Sequence, residues 1–559
     1  MQRKPFRIGS DVFENIRKNN CYFVDKSLFI KDILSIEYQV VLITRPRRFG
    51  KSTNMSMLKS FMDISDKNQD LFSGLLIENE RDIMEKWYKK VPVIHLSLSE
   101  MAAAKSYESS LVQLSEIISE ECRKLEFLQQ SEKISKSIAR ELSTLENLSL
   151  FEGTEIHPVP YSKLLRSLKT LTSALRFYYD KKVVVLIDEY DAPVNHDDQR
   201  SFRKALLSDL SAFFGGAFKG NPNVERVIVT GCLRIANESI FTGANNPGVF
   251  TVKDVALSSC FGLSECEVKQ VLIDVGHPEK LDEAKEWYNG YNFGKTMVYN
   301  ISDVLCYASA LAGDPTSRPE NYWAQTSSND ILMKSFESPH SSLSIYKLIA
   351  GEDVAVGSFD DNIAFDDIGM LDSVWNILYH TGYITSASGK TGVWRIPNNE
   401  IRGLFEQNYA RAIRKSVGNE KIEELKEAVF SLDPGKIEKK LGSLLLLLNP
   451  KDTAGSHEQV YHVYFFGLLL NLKMTTNEQA GYGFSDVQVL LDEIVKLAVI
   501  FEFKVFDGSK GDKTLEDTAQ RALRQIHGLD YPKNLMMQGY DVACFGVGCL
   551  SRDCAVKGD

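Results

Sequence analysis

Residues 45–52 read Arg-Pro-Arg-Arg-Phe-Gly-Lys-Ser and combine a glycine, a lysine and a hydroxyl in the order that binds nucleotide phosphates. In such a loop, N–H groups at a helix N-terminus point at the phosphate oxygens, the lysine adds positive charge, and the hydroxyl reaches Mg²⁺. The general pattern has glycine where this chain has Arg45, although a pre-proline residue favours an extended geometry that can replace that turn glycine. The octet alone is therefore as consistent with a basic loop that caps a helix as with a phosphate loop.

A pair of acids, Asp188 and Glu189, ends the apolar run Val183–Asp188. Asp188 would hold Mg²⁺, and Glu189 would orient and deprotonate an attacking water. Strands that end in solvated acids are common, so this pair is weak evidence by itself. Together with the preceding loop it favours an ATP·Mg²⁺ site, because both motifs follow strands in the expected order, and ligands bind at that edge of parallel sheets.

Five further polar side chains are candidates for contact with the nucleotide. Thr230 ends the apolar run 226–230 and would sense the γ-phosphate, and Arg234 would contact it, although a strand and a turn explain both residues equally well. Of Arg45, Arg47 and Arg48, we expect at least one to be an electrostatic clamp on the nucleotide or on a neighbouring domain. The other two are expected to be solvated.

A second constellation, Asp486, Glu502 and Lys504, lies near the C-terminus. Side chains alternate along a strand, so Glu502 and Lys504 share one face. Buried charges are costly unless they serve each other or a metal, and two carboxylates suit Mg²⁺ or Mn²⁺. Lys504 would then position or activate the water that attacks a phosphodiester. An exposed edge strand with alternating charges is the alternative, but the apolar residues between the charges favour a buried strand.

The stretch from His457 to His462 resembles the H-E-x-x-H motif of zinc proteases. That motif requires histidine at position 461, where this chain has Tyr461. The two histidines are five residues apart and do not share a helical face. We therefore do not expect zinc here.

The elements around these motifs alternate between strand-like and helix-like patterns. The strands lack polar alternation, as strands buried on both faces of a parallel sheet do, which predicts an α/β fold with helices covering the sheet. The expected elements of this first part are strands Gln39–Thr44, Val91–Ser97, Val183–Asp188 and Arg226–Thr230 and helices Tyr107–Gln129 and Tyr161–Asp180. A second α/β unit is expected from the order helix, strand, strand, helix, strand in Glu458–Leu472, Phe484–Leu491, Leu497–Val505, Leu515–Ile526 and Asp541–Val547.

Bulk composition limits the class of protein. At 559 residues the chain is too long for one core and predicts roughly three or four domains. No apolar run approaches the ~20 residues that cross a bilayer, so no membrane contact is expected. Nine scattered cysteines without a C-x-x-C pair predict a reducing cytoplasm, and a net charge of −10 means that nucleic acid would contact a local basic patch.

Several long motifs carry a resemblance to a known family. The stretches IGSDVFENIRKNNCYFVDKSLFI, RPRRFGKS, LIDEYDAP, TGCLRIANESIFTGANN and WYNGYNFG resemble the AAA-ATPase-like family, in which the loop itself often reads RPRRFGKS. Members of that family often carry a C-terminal PD-(D/E)XK nuclease superfamily domain, which YHVYFFGLLLNL and ALRQIHGLDY resemble. The resemblance implies a P-loop NTPase domain in residues 1–293, a mainly helical connector in 294–435, and a restriction-endonuclease-like α/β domain in 436–559.

The resemblance also assigns site residues. It implies that Glu458 is a further metal or water ligand, that Gln525 lies near the scissile phosphate, and, more weakly, that Tyr531 belongs to the same site. The expected metal ligands are Ser52 and Asp188 at the first site and Glu458, Asp486 and Glu502 at the second. The expected cofactor-binding residues are Arg45, Pro46, Arg47, Arg48, Phe49, Gly50, Lys51, Ser52, Thr53, Asp188, Thr230 and Arg234. The expected catalytic residues are Glu189, Asp486, Glu502, Lys504 and Gln525.

These assignments predict an ATP-regulated nuclease. It would use ATP and Mg²⁺ at the first site, Mg²⁺ or Mn²⁺ at the second, and DNA or RNA as substrate, with a second copy or another protein as a further partner. The resemblance suggests a role in defence or in the handling of mobile elements. Two alternatives stay open. One is a nucleotide-dependent switch or scaffold that binds nucleic acid or protein without cleavage, and the other is an ATPase that remodels a protein partner.

Overall fold

The computed structural model describes most of the chain, with gaps around both predicted sites and in the middle. The described residues are 4–6, 8–68, 70–152, 155–194, 202–218, 220–235, 247–323, 342–349, 351–356, 371–387, 392–448, 458–469, 472–480, 483–492 and 494–559. They form two compact units. The first is drawn from Met1–Tyr322, Gly357–Gly392 and Pro397–Asn399, and the second from Trp323–Val356, Val393–Ile396 and Glu400–Asp559. The expected connector, 294–435, is thus divided between the two units.

Strands and helices alternate through most of the described residues. The strands are β1 Val40–Thr44, β2 Val93–Ser97, β3 Phe151–Glu152, β4 Glu155–Ile156, β5 Val183–Asp188, β6 Val224–Gly231, β7 Gly248–Phe250, β8 Tyr291–Phe293, β9 Thr296–Val298, β10 Val354–Ala355, β11 Thr385–Ser386, β12 Val393–Arg395, β13 Lys473–Ala480, β14 Gly483–Asp492, β15 Leu497–Val505, β16 Asp541–Leu550 and β17 Asp553–Gly558. The helices are α1 Phe13–Lys18, α2 Leu28–Ser35, α3 Lys51–Met62, α4 Arg81–Trp87, α5 Tyr107–Lys124, α6 Glu126–Gln129, α7 Lys136–Glu146, α8 Pro158–Tyr179, α9 Arg203–Phe218, α10 Glu265–Val275, α11 Leu281–Tyr288, α12 Ile301–Gly313, α13 Ser342–Ile349, α14 Leu371–His380, α15 Asn399–Val417, α16 Asn419–Phe430, α17 Pro434–Leu445, α18 Glu458–Leu469, α19 Leu515–Gly528 and α20 Lys533–Met537.

A parallel sheet forms the centre of the first unit, in the order β2-β5-β6-β1-β7. Every residue of strands β1 and β5 is buried, as in a parallel sheet that helices cover on both faces. Strand β6 lies between β1 and β5, with Thr44 paired to Gly231, and Ser97 of β2 pairs with Asp188. The carboxyl ends of these strands therefore meet at one edge, and the expected parallel α/β sheet is confirmed.

Helices α5, α7, α8 and α9 pack together beside this sheet around a large apolar core. One buried polar contact joins three of them, since Tyr107 of α5 and Tyr161 of α8 each donate a 2.5 Å hydrogen bond to Asp209 of α9. A second core, built from α10, α11 and α12, follows the sheet in sequence. Its helix α12 is capped by Asn300, whose side chain accepts from the N–H groups of Ser302 and Asp303.

The second unit contains a mixed sheet in the order β13-β14-β15-β16-β17. Only the β15–β16 pair of this sheet is parallel; the other neighbours are antiparallel. Helix α19 packs closely on β16, because a Cβ at Gly546 would lie 2.2 Å from the Ala519 carbonyl and one at Gly548 would lie 2.5 Å from the Leu515 carbonyl. The expected order of helix, strand, strand, helix and strand is present, and β15 has the expected bounds.

Helices α15, α16 and α17 lie in the part of the chain that precedes α18, and β10 pairs with β12 in an antiparallel manner. This region is mainly helical, as expected. Within the described ranges, the structure contains no helix that is both long enough and apolar enough to span a bilayer.

Candidate functional site

The predicted phosphate loop connects the end of β1 to the start of α3. Gly50 caps the helix with a left-handed backbone, φ +86° and ψ 19°, and Arg48 is also left-handed, with φ +68°. Successive residues of alternating handedness turn their N–H groups toward one point and form an anion-binding concavity. The loop thus contains two left-handed residues of the kind found in anion-binding concavities, even though its first residue is Arg45 and not glycine.

The lysine of the loop is folded onto the loop itself. Lys51 is 5% exposed, and its Nζ donates to the carbonyls of Arg45 at 3.0 Å and Pro46 at 2.8 Å. The Sγ of Cys232 lies 3.5 Å from the same Nζ. The ammonium group therefore has protein acceptors that a bound phosphate would have to replace.

Arg45 lies inside the core of the first unit. Its side chain is 0% exposed, donates to the carbonyls of Thr44 at 2.8 Å and Phe250 at 3.1 Å, and lies over the rings of Phe261 and Phe293. Burial lowers its pKa to about 10, so the guanidinium is still charged at neutral pH. The Arg45 side chain therefore attaches the first residue of the loop to the core of the first unit.

The other two loop arginines are partly buried, so the expectation that two of the three would be solvated is wrong. Arg48 forms a 2.8 Å salt bridge with Asp303, which is fully buried. Arg47 faces other charges: burial opposes its ionisation, but Cys232 and Glu189 outweigh that effect and raise its pKa. The three neighbouring arginines thus have three different environments.

The acidic motif lies at the end of β5 beside the end of β6. Asp188 is buried and accepts hydrogen bonds from the Thr230 hydroxyl and, at 3.0 Å, from the Glu189 N–H. Glu189 has a left-handed backbone with φ +52°, a strained conformation that recurs at functional sites. Burial and the neighbouring Asp188 raise the pKa of Glu189, which makes this carboxylate a better base.

A buried network fixes the turn after this motif. Asp191 accepts from the N–H groups of Cys232 at 3.0 Å and Leu233 at 2.9 Å, and the Tyr190 hydroxyl donates to the Leu233 carbonyl at 2.8 Å. A Cβ at Gly231 would lie 2.5 Å from Asp191, so only glycine permits this approach. The sequence shows Asp191 as a third acid three residues after Asp188, but nothing in the spacing indicates that it binds the backbone of the neighbouring strand.

The structure brings together most of the residues predicted for the first site. Asp188, Glu189 and Thr230 lie at the ends of the neighbouring strands β5 and β6, and Lys51, the first residue of α3, is close enough to oppose in part the rise in the pKa of Glu189. The remaining predicted residues lie around them: Pro46 is buried, Ser52 and Thr53 are half-buried in the first turn of α3, Phe49 packs against Tyr291 and Phe293, and Arg234 is half-buried near Tyr190. A hydroxyl on the first turn of α3 and a buried aspartate at the end of β5 are the side-chain types that hold the Mg²⁺ of a bound nucleotide.

The second site lies where β14 and β15 separate. Val487 and Phe501 are the last residues paired between these strands in the part that the structure describes. Asp486 precedes Val487, and its carboxylate accepts a 2.7 Å hydrogen bond from the Phe503 N–H. This side-chain bond takes the place of a main-chain hydrogen bond between the two strands. Burial raises the pKa of Asp486. Asp486 and Glu502 therefore lie opposite each other at the point of separation.

Lys504 joins two carboxylates at this site. Its Nζ donates to Glu458 of α18 at 2.8 Å and to Glu502 at 2.9 Å. Burial opposes its charge, but Glu502 and Glu458 outweigh that effect and raise its pKa to about 12. Glu458, Glu502 and Lys504 are thus brought together as expected.

Glu502 is the most buried acid of the site, at 2% exposure. Burial and the charge of Asp486 raise its pKa to about 8. Its Oε1 also accepts from Gln525 of α19 at 2.5 Å, and the Gln525 amide donates to the Tyr531 hydroxyl at 3.0 Å. Among the described residues, Oε2 of Glu502 has no hydrogen-bond partner although it is buried. A buried carboxylate oxygen without a partner is costly and fits a hard cation as its missing neighbour.

His462 also lies at this site. It lies one turn after Glu458 on α18, is buried, and bonds to the Asp486 backbone; burial lowers its pKa. His457, the other histidine of the zinc-like motif, lies outside the described residues. No group of three His, Cys, Asp or Glu side chains that could hold a metal occurs in the described ranges. The fit to a cation therefore depends on Asp486, Glu502 and its unpaired oxygen.

Comparisons with known proteins agree with this division. Residues 7–241 match the model of a family described as predicted AAA-ATPase, and residues 456–558 match that of the PD-(D/E)XK nuclease superfamily. The chain is also similar to an uncharacterized protein from the vnfD 5′ region of Azotobacter chroococcum mcd 1. The two are 24% identical over 590 residues, covering 99% of this chain and 98% of that protein. Asp303, which pairs with the loop residue Arg48, lies outside both matched segments.

Proposed function

Because the chain carries an AAA-ATPase-like domain and a PD-(D/E)XK nuclease superfamily domain, we propose that it binds and hydrolyses ATP and cleaves nucleic acid. The observation that carries the cleavage proposal is the buried Glu502: its Oε1 accepts from Lys504, whereas its Oε2 has no hydrogen-bond partner among the described residues. A protein that gained nothing from this carboxylate would be more stable with an apolar residue in its place. Nucleic acid is the proposed substrate, and the cytoplasm, which the cysteine pattern favours, is the proposed compartment.

At the first site, nucleotide binding would exchange the contacts of Lys51. Its ammonium group would leave the carbonyls of Arg45 and Pro46 and bind phosphate oxygens, while the left-handed loop presents its N–H groups. Ser52 and Asp188 would hold the Mg²⁺ that accompanies the nucleotide and neutralises its charge. Glu189, with its raised pKa, would accept the proton of the attacking water.

At the second site, Asp486 and Glu502 would hold a divalent cation, with Glu458 as a further ligand. The cation would polarise the scissile phosphate and lower the pKa of its bound water. Lys504 would turn from Glu458 to the attacking water or to a phosphate oxygen, since its Nζ already lies within 2.9 Å of Glu502. Gln525 fixes Glu502 through its amide and would orient the phosphate beside it.

One observation favours a nucleotide-dependent switch that binds nucleic acid without cleavage. Lys504 is hydrogen-bonded to both Glu458 and Glu502, so these two carboxylates already share a positive partner. A binding module would keep these contacts, whereas a nuclease has to break at least one of them. Cleavage activity distinguishes the two functions.

The decisive experiment incubates the purified chain with supercoiled plasmid, single-stranded DNA and RNA. Each is tested with Mg²⁺ or Mn²⁺, with and without ATP, while ATP hydrolysis is followed in the same samples. Glu502→Ala and Lys504→Ala should remove cleavage and retain ATP hydrolysis, and the exposed Lys557→Ala should affect neither. Intact nucleic acid under all conditions, with ATP still bound, would favour the switch. Cleavage that survives both site variants would show that the nuclease centre lies elsewhere.

The nucleotide site is tested by two substitutions. Lys51→Ala should abolish ATP binding, whereas Lys67→Ala, an exposed lysine after α3, should not change it. Glu189→Gln should retain ATP binding and lose hydrolysis, because the amide cannot accept the proton of water. An unchanged ATP affinity in Lys51→Ala would exclude this loop as the site.

A further inference from the structure

The phosphate loop contains a left-handed residue at a position where the chain has no glycine. Arg48 has φ +68°, and residues with a side chain beyond Cβ rarely adopt this region without support. Gly50, two residues later, adopts φ +86° without a steric penalty. The alternation that aims the loop N–H groups therefore depends on a conformation of Arg48 that the residue does not favour by itself.

The first turn of α12 holds Arg48 in this conformation at two points. The Arg48 side chain forms a 2.8 Å salt bridge with Asp303, and the Arg48 carbonyl accepts from the Ser302 N–H at 3.4 Å. Asp303 is 0% exposed, so it is surrounded by protein and cannot follow a moving loop. Asn300 caps α12 and fixes the position of its first turn.

The neighbouring residue of the loop is supported by the same part of the chain. The Phe49 carbonyl accepts from the Gly262 N–H at 3.1 Å, and the Phe49 ring lies 4.8 Å from that of Tyr291 and 4.9 Å from that of Phe293. These partners, like Asp303, lie after residue 241, where the family match ends. The loop is thus shaped by residues that its own motif does not include.

We propose that Asp303 is a positioning residue of the nucleotide site, which holds Arg48 left-handed and thereby aims the loop N–H groups at phosphate. This inference rests on the proposed ATP-binding function and adds to it a residue from α12. A direct phosphate contact by Arg48 is the competing role. The salt bridge argues against that role, since a move to the phosphate would take the arginine charge away from a fully buried carboxylate.

The test compares two double variants that both remove the ion pair. Arg48→Gly/Asp303→Asn and Arg48→Ala/Asp303→Asn leave no buried charge, and they differ only in a Cβ at position 48. Because glycine adopts positive φ freely and alanine does not, the glycine double variant should bind a fluorescent ATP analogue about 5- to 10-fold more tightly than the alanine one. The single Asp303→Asn should bind it about 10-fold more weakly than the unaltered chain, and Asp282→Asn, exposed on α11, should bind it equally well.

Steady-state kinetics separate positioning from a general loss of structure. In Asp303→Asn, the KM for ATP should rise while kcat changes by less than about 3-fold, because Glu189 and Asp188 keep their places. Equal affinities of the two double variants, or an Asp303→Asn affinity equal to that of the unaltered chain, would overturn the inference. If the unaltered chain bound the analogue and Lys51→Ala abolished that binding, the proposed ATP-binding function would stand. Equal affinities would then overturn only the inference about Asp303. An unaltered chain that bound no nucleotide would overturn the proposed function and the inference with it.

Discussion

Replacing Glu502 with glutamine should stabilise the second unit and abolish cleavage. Burial and the charge of Asp486 raise the pKa of this carboxyl from 4.5 to about 8. The unfolded chain therefore releases the proton at a lower pH than the folded chain does. The stability that the protonated group contributes is fully present below pH 4.5 and is lost as the pH rises toward 8. The loss amounts to roughly 5 kcal/mol above pH 8, if nothing else relaxes.

Glutamine removes this pH-dependent loss with little change in shape. Its amide oxygen accepts from Lys504 and Gln525 as Oε1 does, and its NH₂ group takes the place of the unpaired Oε2. Lys504 loses one counter-charge, so the expected gain in the free energy of unfolding at pH 8.5 is about 2–4 kcal/mol. At pH 5 the gain should be under about 1 kcal/mol, because Glu502 then costs little.

The measurement is denaturant-dependent hydrogen–deuterium exchange in EDTA at pH values from 5 to 9. Peptides that cover β15 report the unfolding of this unit, and Glu420→Gln on the exposed start of α16 is the matched control. The reasoning would be refuted if Glu502→Gln were no more stable than the unaltered chain at pH 8.5. It would equally be refuted by a gain that was the same at pH 5 and pH 8.5.

Two further predictions concern packing. Arg45→Ala should lower the free energy of unfolding of the first unit by about 3 kcal/mol or more. The substitution leaves a cavity and removes the side chain that donates to the carbonyls of Thr44 and Phe250. Arg47→Ala should lower the same free energy by under about 1 kcal/mol. Urea denaturation measures both, and equal losses would contradict the different environments of the two arginines. Gly546→Ala should destabilise the second unit by about 3 kcal/mol or more and lower cleavage, because a Cβ 2.2 Å from the Ala519 carbonyl displaces α19 and with it Gln525. Gly528→Ala, at the end of α19, is the matched control in the same thermal unfolding assay, because its added Cβ would meet no atom within 4 Å and its φ, like that of Gly546, is not positive.

Sequence patterns predict correctly those structural features that depend on residues close together in the chain. Apolar runs without polar alternation predict the central strands, and the run Val183–Asp188 is a strand with the same bounds in the structure. The two-residue period in β15 correctly places Glu502 and Lys504 on one face, where Lys504 bonds to Glu502. The short strand β7 escapes this reasoning, because its pairing depends on β1, which is distant in sequence.

Long-range contacts explain what sequence reasoning missed at the sites. Nothing in the sequence around Arg45 indicates burial, since apart from the Thr44 carbonyl its acceptors and its two rings come from residues 250–293. Asp303 gives only the signal of a helix N-terminus, Asn300 followed three residues later by an acid, which many surface helices share. The pairing of Asp303 with Arg48 spans 255 residues and becomes visible only in the fold.

The position of Lys504 between two glutamates has a consequence for how the protein matures. Its ammonium group lies 2.8 Å from Glu458 and 2.9 Å from Glu502 and is an internal counter-ion for both carboxylates. If the site takes up a divalent cation as proposed, the chain would therefore have a positive charge beside these carboxylates before the cation arrives. Folding and metal loading would then be separate steps, and a shortage of metal would leave a folded protein that lacks only its cation.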